Sequence, residues 1–354
     1  MSQTSSPTPR PAAPGPTPLL RALGIATALT AVVALVVLAF SWPAVTAEPK
    51  DVPIALVGPD AAVEALGARL AEDSEGLFDT DILGDRDSAV EAVERREVAG
   101  AVVLGPEPEL LTASATGPLN QPVAQLAAPL QAALTEQAPD QGGRPVALTV
   151  TDVVPYSEDD PNGGKLSSAF FPLLLGGMIG GIAIGLAVHG AGRRAVAVLA
   201  YSAVGGTLLT GILQTWFGSL QGDFWSNAAA FGLALGAIAA PIVGFVSLLG
   251  RAGIAVGPVV MMLFANPISG ATLPAQFLPG AWGAVGQWFP PGASATLVRG
   301  LSYFPDADLA FPWLVLAAWA ACGLLLTLVS GLRRTPAEDP GREAAAGERR
   351  PVGV

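Results

Sequence analysis

The sequence predicts an α-helical membrane protein: six transmembrane helices with a re-entrant segment, plus a small extracytoplasmic α/β domain inserted between helices 1 and 2. Three observations predict it. Long stretches carry no charged residue, arginines collect at alternate gaps between those stretches, and residues 48–166 differ from the rest in charge and periodicity. Of 354 residues, 51% are hydrophobic and only 13% charged, with a mean hydropathy of +0.52. A soluble chain of this length needs more charged surface than that.

A helix needs about 20 mostly apolar residues to cross the hydrocarbon core. Charge-free stretches run over 22–47, 166–192, 195–222, 224–250, 252–298 and 309–332. The fifth has the length for two crossings, and the positions of arginine decide between one and two. With Arg10 and Arg21 inside, Arg193 and Arg194, Arg251, and Arg333 and Arg334 all fall inside only if that stretch crosses once. Proline and glycine agree, since Asn266, Pro267, Gly270, Pro274, Pro279 and Pro290–Pro291–Gly292 interrupt it after Met262. One span near 252–265 is therefore expected, followed by a re-entrant segment over about 266–303. Broken backbone at that depth needs protein or a water-filled cavity around it. Asn266, Pro267, Gly270, Trp282, Pro290, Pro291, Gly292 and Arg299 are its candidate pathway residues.

Transmembrane helix 1 is assigned to 19–42. Its end, Pro43-Ala44-Val45-Thr46-Ala47, resembles a signal-peptidase site, but the apolar core Leu23–Phe40 exceeds the usual length of such a region, so the helix is expected to be retained. The tails, 1–18 and 333–354, are rich in Pro, Ser, Gly, Ala and charge and are expected to be disordered and cytoplasmic. Only 2 of the 18 basic residues are lysine, and Ala, Gly and Pro abound, a composition we read as bacterial.

Residues 48–166 hold 22 acidic and 7 basic residues, a balance of 7 − 22 = −15 against −11 for the whole chain. Val52–Val57 reads as a buried strand. Gly58-Pro59-Asp60 then opens a helix with Val63, Leu66 and Leu70 on one face. A second strand is expected over Leu77–Leu83, a second helix over Ser88–Glu97 and a third strand over Val98–Leu104. Another helix carries Val123, Leu126, Leu130 and Leu134, bent or restarted at Pro129, and Val146–Val154 closes the list. Strands alternating with helices imply a largely parallel sheet.

Catalysis, cofactors and metals find no support. The turn after the first strand lacks G-x-G-x-x-G, and Asn162-Gly163-Gly164-Lys165-Leu166-Ser167 lacks the first glycine of a phosphate loop. No G-x-S-x-G elbow is present, and Ser294 reads as a helix-start residue. His189, the single histidine, lies beside Arg193 with no carboxylate near and reads as interfacial. The acidic residues, Glu158-Asp159-Asp160 included, read as solvated surface. The core spans carry no ionisable group, because Asp223, Arg299, Asp306 and Asp308 fall in outer loops or interfaces. Cys322, the single cysteine, excludes intrachain disulfides. The net charge argues against nucleic acid, leaving the lipid bilayer as the evident partner. Gly176, Gly177, Gly180, Gly181 and Gly185, with Gly232 and Gly236, have the spacing of close helix packing.

Three stretches carry a family resemblance: IALVGPDAAVEALGARL with DSAVEAVERREVAGAVVLGP, the VVPYSEDDPNGG lead-in to span two, and NPISG…LPGAWGAVGQWFPPGASATLVRGLSYF before the last span. With the layout of one span, an outer domain and five spans, they resemble the ABC-2-type permease superfamily, in its phage-infection-protein (YhgE/Pip)-like branch. The resemblance implies a non-enzymatic export subunit in a bacterial plasma membrane, a homodimer, with any ATPase on a separate chain. It also places 266–303 near where cargo leaves. The loop His189–Arg194 departs from the pattern, because ATPase-coupled permeases usually carry a charged docking segment there. The alternative is a non-transporting envelope or phage-receptor-like protein that binds an outer ligand through its acidic domain.

Overall fold

A computed structural model describes residues 17–74, 76–137 and 146–332. The tails expected to be disordered lie outside the described residues, apart from 17 and 18. Among the described residues, five helices are long and apolar enough to cross a membrane: Leu19–Thr46, Gly164–Ala187, Ala191–Trp216, Phe224–Ala265 and Ala310–Leu332. We name them as α1 (Leu19–Thr46), α6 (Gly164–Ala187), α7 (Ala191–Thr210, with wide turns to Trp216), α8 (Phe224–Leu249) with α9 (Gly253–Pro258, with wide turns to Ala265), and α12 (Ala310–Leu332).

The fourth is a hairpin. Gly250 stands at φ +62°, ψ −134°, and the chain turns back. Gly257 then faces Ile242, Gly253 faces Phe245, and Met261 shares a core with Ile238 and Ile242. The break predicted between spans four and five is therefore present. The limb after it has six α-helical residues and seven in wider turns, about 20 Å at 1.5 Å per residue. That is short of the roughly 30 Å hydrocarbon core, so six full-length helices is corrected to five and a short limb.

α8 is the hub. From Ala234 to Gly244 it is buried all round, and it packs against α6, α7 and α12. α1 is peripheral, with Pro43 its one buried residue. It continues past the expected end at 42 because proline withholds a single N–H, and Thr46 Oγ1 donates to Trp42 O (2.7 Å) across the bend. Five of the seven predicted packing glycines meet α8 or its partner: Gly177, Gly181 and Gly185 face Ile238, Ala239 and Val246, and Gly232 and Gly236 face Ser202 on α7. Gly180 faces the Tyr201 ring instead, and Gly176 has its nearest neighbour 3.7 Å from an added Cβ, so it is no close-packing site.

Between α1 and α6 lies a five-stranded sheet ordered β2-β1-β3-β4-β5. The strands are β1 Val52–Val57, β2 Phe78–Leu83, β3 Gly100–Val103, β4 Glu109–Thr112 and β5 Thr149–Asp152, with helices α2 (Asp60–Asp73), α3 (Arg86–Glu94), α4 (Asn120–Gln125) and α5 (Ala127–Gln137). All pairs are parallel except β3–β4. β4 went unpredicted, because four residues among Pro106, Pro108 and glutamates give no alternation to read. α3 starts before Ser88, since the Asp85 carboxylate accepts from Ser88 N (2.8 Å) and caps it. The helix expected to restart at Pro129 breaks at Leu126 instead, where the ring would meet the carbonyl of Gln125 four residues back.

The sheet alternates as a pleat requires. Ile54, Leu56, Val102 and Leu110 face a core closed by α2 and α4, and Phe277 from the broken segment is buried in it. Ala55, Val57, Ala101 and Leu111 face a core that runs on into Leu166, Phe170, Tyr303 and Phe304. One face of the sheet thus shares its core with the broken segment and the other with Leu166 and Phe170 of α6.

Arg86 at the start of α3 pairs through two nitrogens with Glu109 on β4, and Thr151 on β5 donates to the same carboxylate. Arg86, by that hydrogen bond first of all, holds the Glu109 carboxyl below the usual glutamate range. A carboxyl depressed on folding stabilises above its unfolded pKa, about 4.3, and that stabilisation is lost as pH falls through the lower folded value. Glu109→Gln is expected to cost about 1 kcal/mol at pH 7 and to flatten the fall in melting temperature below about pH 4. Thermal melts of the full chain in neutral detergent between pH 7 and 3 check both; equal slopes for the two proteins would refute it.

Candidate functional site at the sheet–helix junction

The loop before α6 holds the two halves together. Ser157 Oγ donates to Gly218 O (2.7 Å), and Lys165 Nζ donates to the carbonyls of Asp159 and Phe217. Asp160 is buried, its carboxylate accepting from Lys165 N and Leu166 N (both 3.1 Å) at the start of α6. The reading of Asp160 as solvated surface is corrected: the carboxylate satisfies backbone donors that a helix start leaves open. It also occupies the end that a phosphate loop at 162–167 would have to offer.

Gly163, at φ +63°, leaves room that the Tyr156 ring fills; a Cβ there would come within 2.2 Å of the ring. Tyr156 meets Tyr303 edge to face at 5.5 Å, and Tyr303 donates to Ser219 O (2.9 Å). Tyr303 belongs to α11 (Pro290–Tyr303), and one turn earlier on it stands Arg299. Arg299 is 8% exposed. Its Nη2 reaches Ala271 O at 3.4 Å, its Cζ lies 6.0 Å from the Phe170 ring centre, and its Nε has no hydrogen-bond partner among the described residues. Expecting Arg299 in an outer loop or interface is corrected: it lies on α11, buried against Phe170 of α6 and Ala271 of the broken segment, with Tyr156 near.

Arg96 reaches in from the sheet side. It is left-handed at φ +60°, which stops α3, and its Cζ lies 5.0 Å over the Phe304 ring. Burial, and then the positive charge of Arg299, lower its pKa to about 10, so it stays protonated at neutral pH. Among the described residues neither arginine has a carboxylate within 4.0 Å.

Two recesses open here. One, of about 550 Å³, holds Arg95, Arg96 and Thr296 together with Glu97, Asp306 and Asp308. The other, of about 530 Å³, has Arg299 in its lining, with Asn120, Gln121, Tyr156, Ser167 and Thr272 around it.

The predicted pathway residues form one folded segment and not one site. Asn266 and Pro267 are half-buried in the turn after α9, and Gly270 stands at φ +72°. Trp282, on α10 (Trp282–Gly286), points the other way, in an aromatic chain with Trp42 and Phe264 (6.0 Å each). Pro290 and Pro291 begin α11, and Gly292 packs on Gly286 O. Only Arg299 joins the junction. His189 is exposed in the α6–α7 link, and Ser294 sits in the first turns of α11, donating to Pro291 O. Arg96, Tyr156 and Phe277 were not singled out by the sequence; Tyr156 lies in VVPYSEDDPNGG, where the nearest signal was, and Asp160 was read there as surface.

No family model matches the chain, and no curated protein or solved structure matches it either.

Proposed function

We propose that this chain is a permease-like membrane subunit, of the ABC-2 type that its sequence resembles, handling an amphipathic or envelope-related substrate in a bacterial plasma membrane. The sheet lies extracytoplasmic in this reading, with both chain ends cytoplasmic, residues 266–303 re-entrant, a second copy of the chain as partner, and any ATPase on a separate chain. The observation that carries the reading is the broken segment, packed between the sheet and the hub helix and contributing Phe277 to one and α11 to the other. It gives non-helical backbone the protein cover that such backbone needs at a membrane.

One observation favours the second reading, a non-transporting envelope protein. The link between α6 and α7 is three residues, and Arg194 just beyond it donates to Val188 O, Gly185 O and Ser247 Oγ. It ties helix ends together and presents no helix for an ATPase.

Two measurements test the proposal. In a Cys322→Ala background, an impermeant maleimide is expected to label Asp60→Cys in intact cells and Arg193→Cys only after permeabilisation; the reverse pattern overturns the orientation. Full-length protein purified in mild detergent is expected to bring an ATP-hydrolysing chain with it, and its deletion to lower export of an amphipathic compound. Neither result appearing would leave the envelope-protein reading in its place.

A further inference from the structure

We propose that the cleft over Arg299 is a binding site for a net-anionic phosphate head group. The inference stands whichever reading above holds, because it rests on the cleft alone. A guanidinium removed from water with no counter-charge costs several kcal/mol, and Arg299 has one long contact to a carbonyl and an unpartnered Nε. A neutral residue would pack there without that cost. A bound anion removes it, and the planar fork of arginine matches phosphate oxygens in pairs.

The lining supports a negative ligand. The chain has 29 acidic residues, yet among the described residues none borders this cleft. The neighbouring recess, by contrast, mixes arginines with Glu97, Asp306 and Asp308 and so neutralises itself. Around Arg299 stand neutral donors: the amides of Asn120 and Gln121 and the hydroxyls of Ser167 and Thr272. The volume, about 530 Å³, exceeds a bare phosphate and suits a head group with a small polar substituent. Gly164 and Ser167 of its wall are the first turn of α6, where a long apolar helix begins. A head group held here has its acyl chains at the level of the bilayer.

The test uses full-length protein in neutral maltoside detergent, with short-chain phosphatidylglycerol, phosphatidylcholine of equal chain length and inorganic phosphate as probes, and native mass spectrometry as the readout. Phosphatidylglycerol is expected to bind in preference to phosphatidylcholine, and Arg299→Gln to weaken it tenfold or more. Gln121, exposed on the cleft wall, supplies variants that leave the fold intact: Gln121→Lys is expected to tighten and Gln121→Glu to weaken binding, each about threefold. Inorganic phosphate that binds alone and displaces the lipid would make the natural ligand a soluble anion at the same site; phosphate that does neither makes it a lipid. A folded Arg299→Gln protein with unchanged affinity overturns the proposal, as does equal binding of the two lipids. If Arg299→Gln does not fold, the Gln121 pair decides, and no change in either direction overturns it.

Discussion

Replacing Gly286 by alanine is expected to unseat the whole segment between α9 and α12. A Cβ at Gly286 would lie 1.7 Å from Ile268 O, and one at Gly283 would lie 1.8 Å from Ala275 O. Gly292 in turn faces Gly286 O at 2.3 Å. Each obstacle is a backbone oxygen, so no rotamer change relieves it; the strands of chain themselves must part. Overpacking of this kind costs about 3 kcal/mol or more. The damage is local at first. Ser269 and Ala271, just after Ile268, carry the acceptors that hold Gln287 and Arg299, through Gln287 Nε2 to Ser269 O (3.0 Å) and Arg299 Nη2 to Ala271 O. Hydrogen exchange over 266–303 is therefore expected to rise by orders of magnitude, and phosphatidylglycerol affinity to fall with it, while α8 keeps its protection. Gly286→Ala protein that exchanges and melts like the wild type would show that the segment is not packed backbone on backbone.

That segment also marks how far the sequence could be read. Its limits were legible, because Pro267, Pro274, Pro279, Pro290 and Pro291 are too many for one continuous helix to absorb and no charge interrupts the run before Arg299. The helix limits were legible for the same reason, hydropathy being a local property. What covers a residue is not local. Arg299 sits in a stretch whose neighbours Val298 and Leu301 look interfacial, and only distant parts of the chain, Tyr156 and Phe170 among them, turn it into a buried cation. Asp160 likewise looked like one more acid in an acidic region until its two acceptors met the start of α6. The small-residue pattern located Gly177, Gly181 and Gly185 because they repeat at four; Gly253 and Gly257 repeat at four as well and were passed over, while Gly323 stands singly and gave no pattern. Gly176 fitted the pattern and makes only ordinary contact, its nearest neighbour 3.7 Å from an added Cβ. Spacing reports which residues share a face; the partner's shape decides which of them is needed.

Gly323→Leu is expected to cost the protein its folded state. Lipid tails are as apolar as the helices, so association in the membrane rests on close packing, and α12 meets the hub α8 along its length. An added Cβ at Gly323 would stand 2.2 Å from Pro241 N and 2.3 Å from Ala240 C, while Gly244 of α8 faces Gly323 O and Leu326 Cβ at 2.9 Å. The two glycines let the backbones cross where Pro241 has already removed one helical hydrogen bond. Leucine at 323 drives the helices apart, and a gap of about 1 Å forfeits a quarter to a half of each contact along the seam. Gly192→Ala is the contrast: nothing lies within 4 Å of its Cβ and it is exposed in the first turn of α7, so it is expected to be neutral or to stabilise by up to about 1 kcal/mol. Monodispersity on size exclusion and melting temperature of the detergent-purified proteins check the pair. The consequence reaches the junction, because Leu309, just before α12, lies 2.4 Å from a Cβ built at Gly300. A displaced α12 therefore presses on α11 one residue from Arg299, and Gly323→Ala, the smaller change, is expected to weaken head-group binding before it abolishes folding. Unchanged melting with leucine at 323 would mean that α12 is not held to α8 by this crossing.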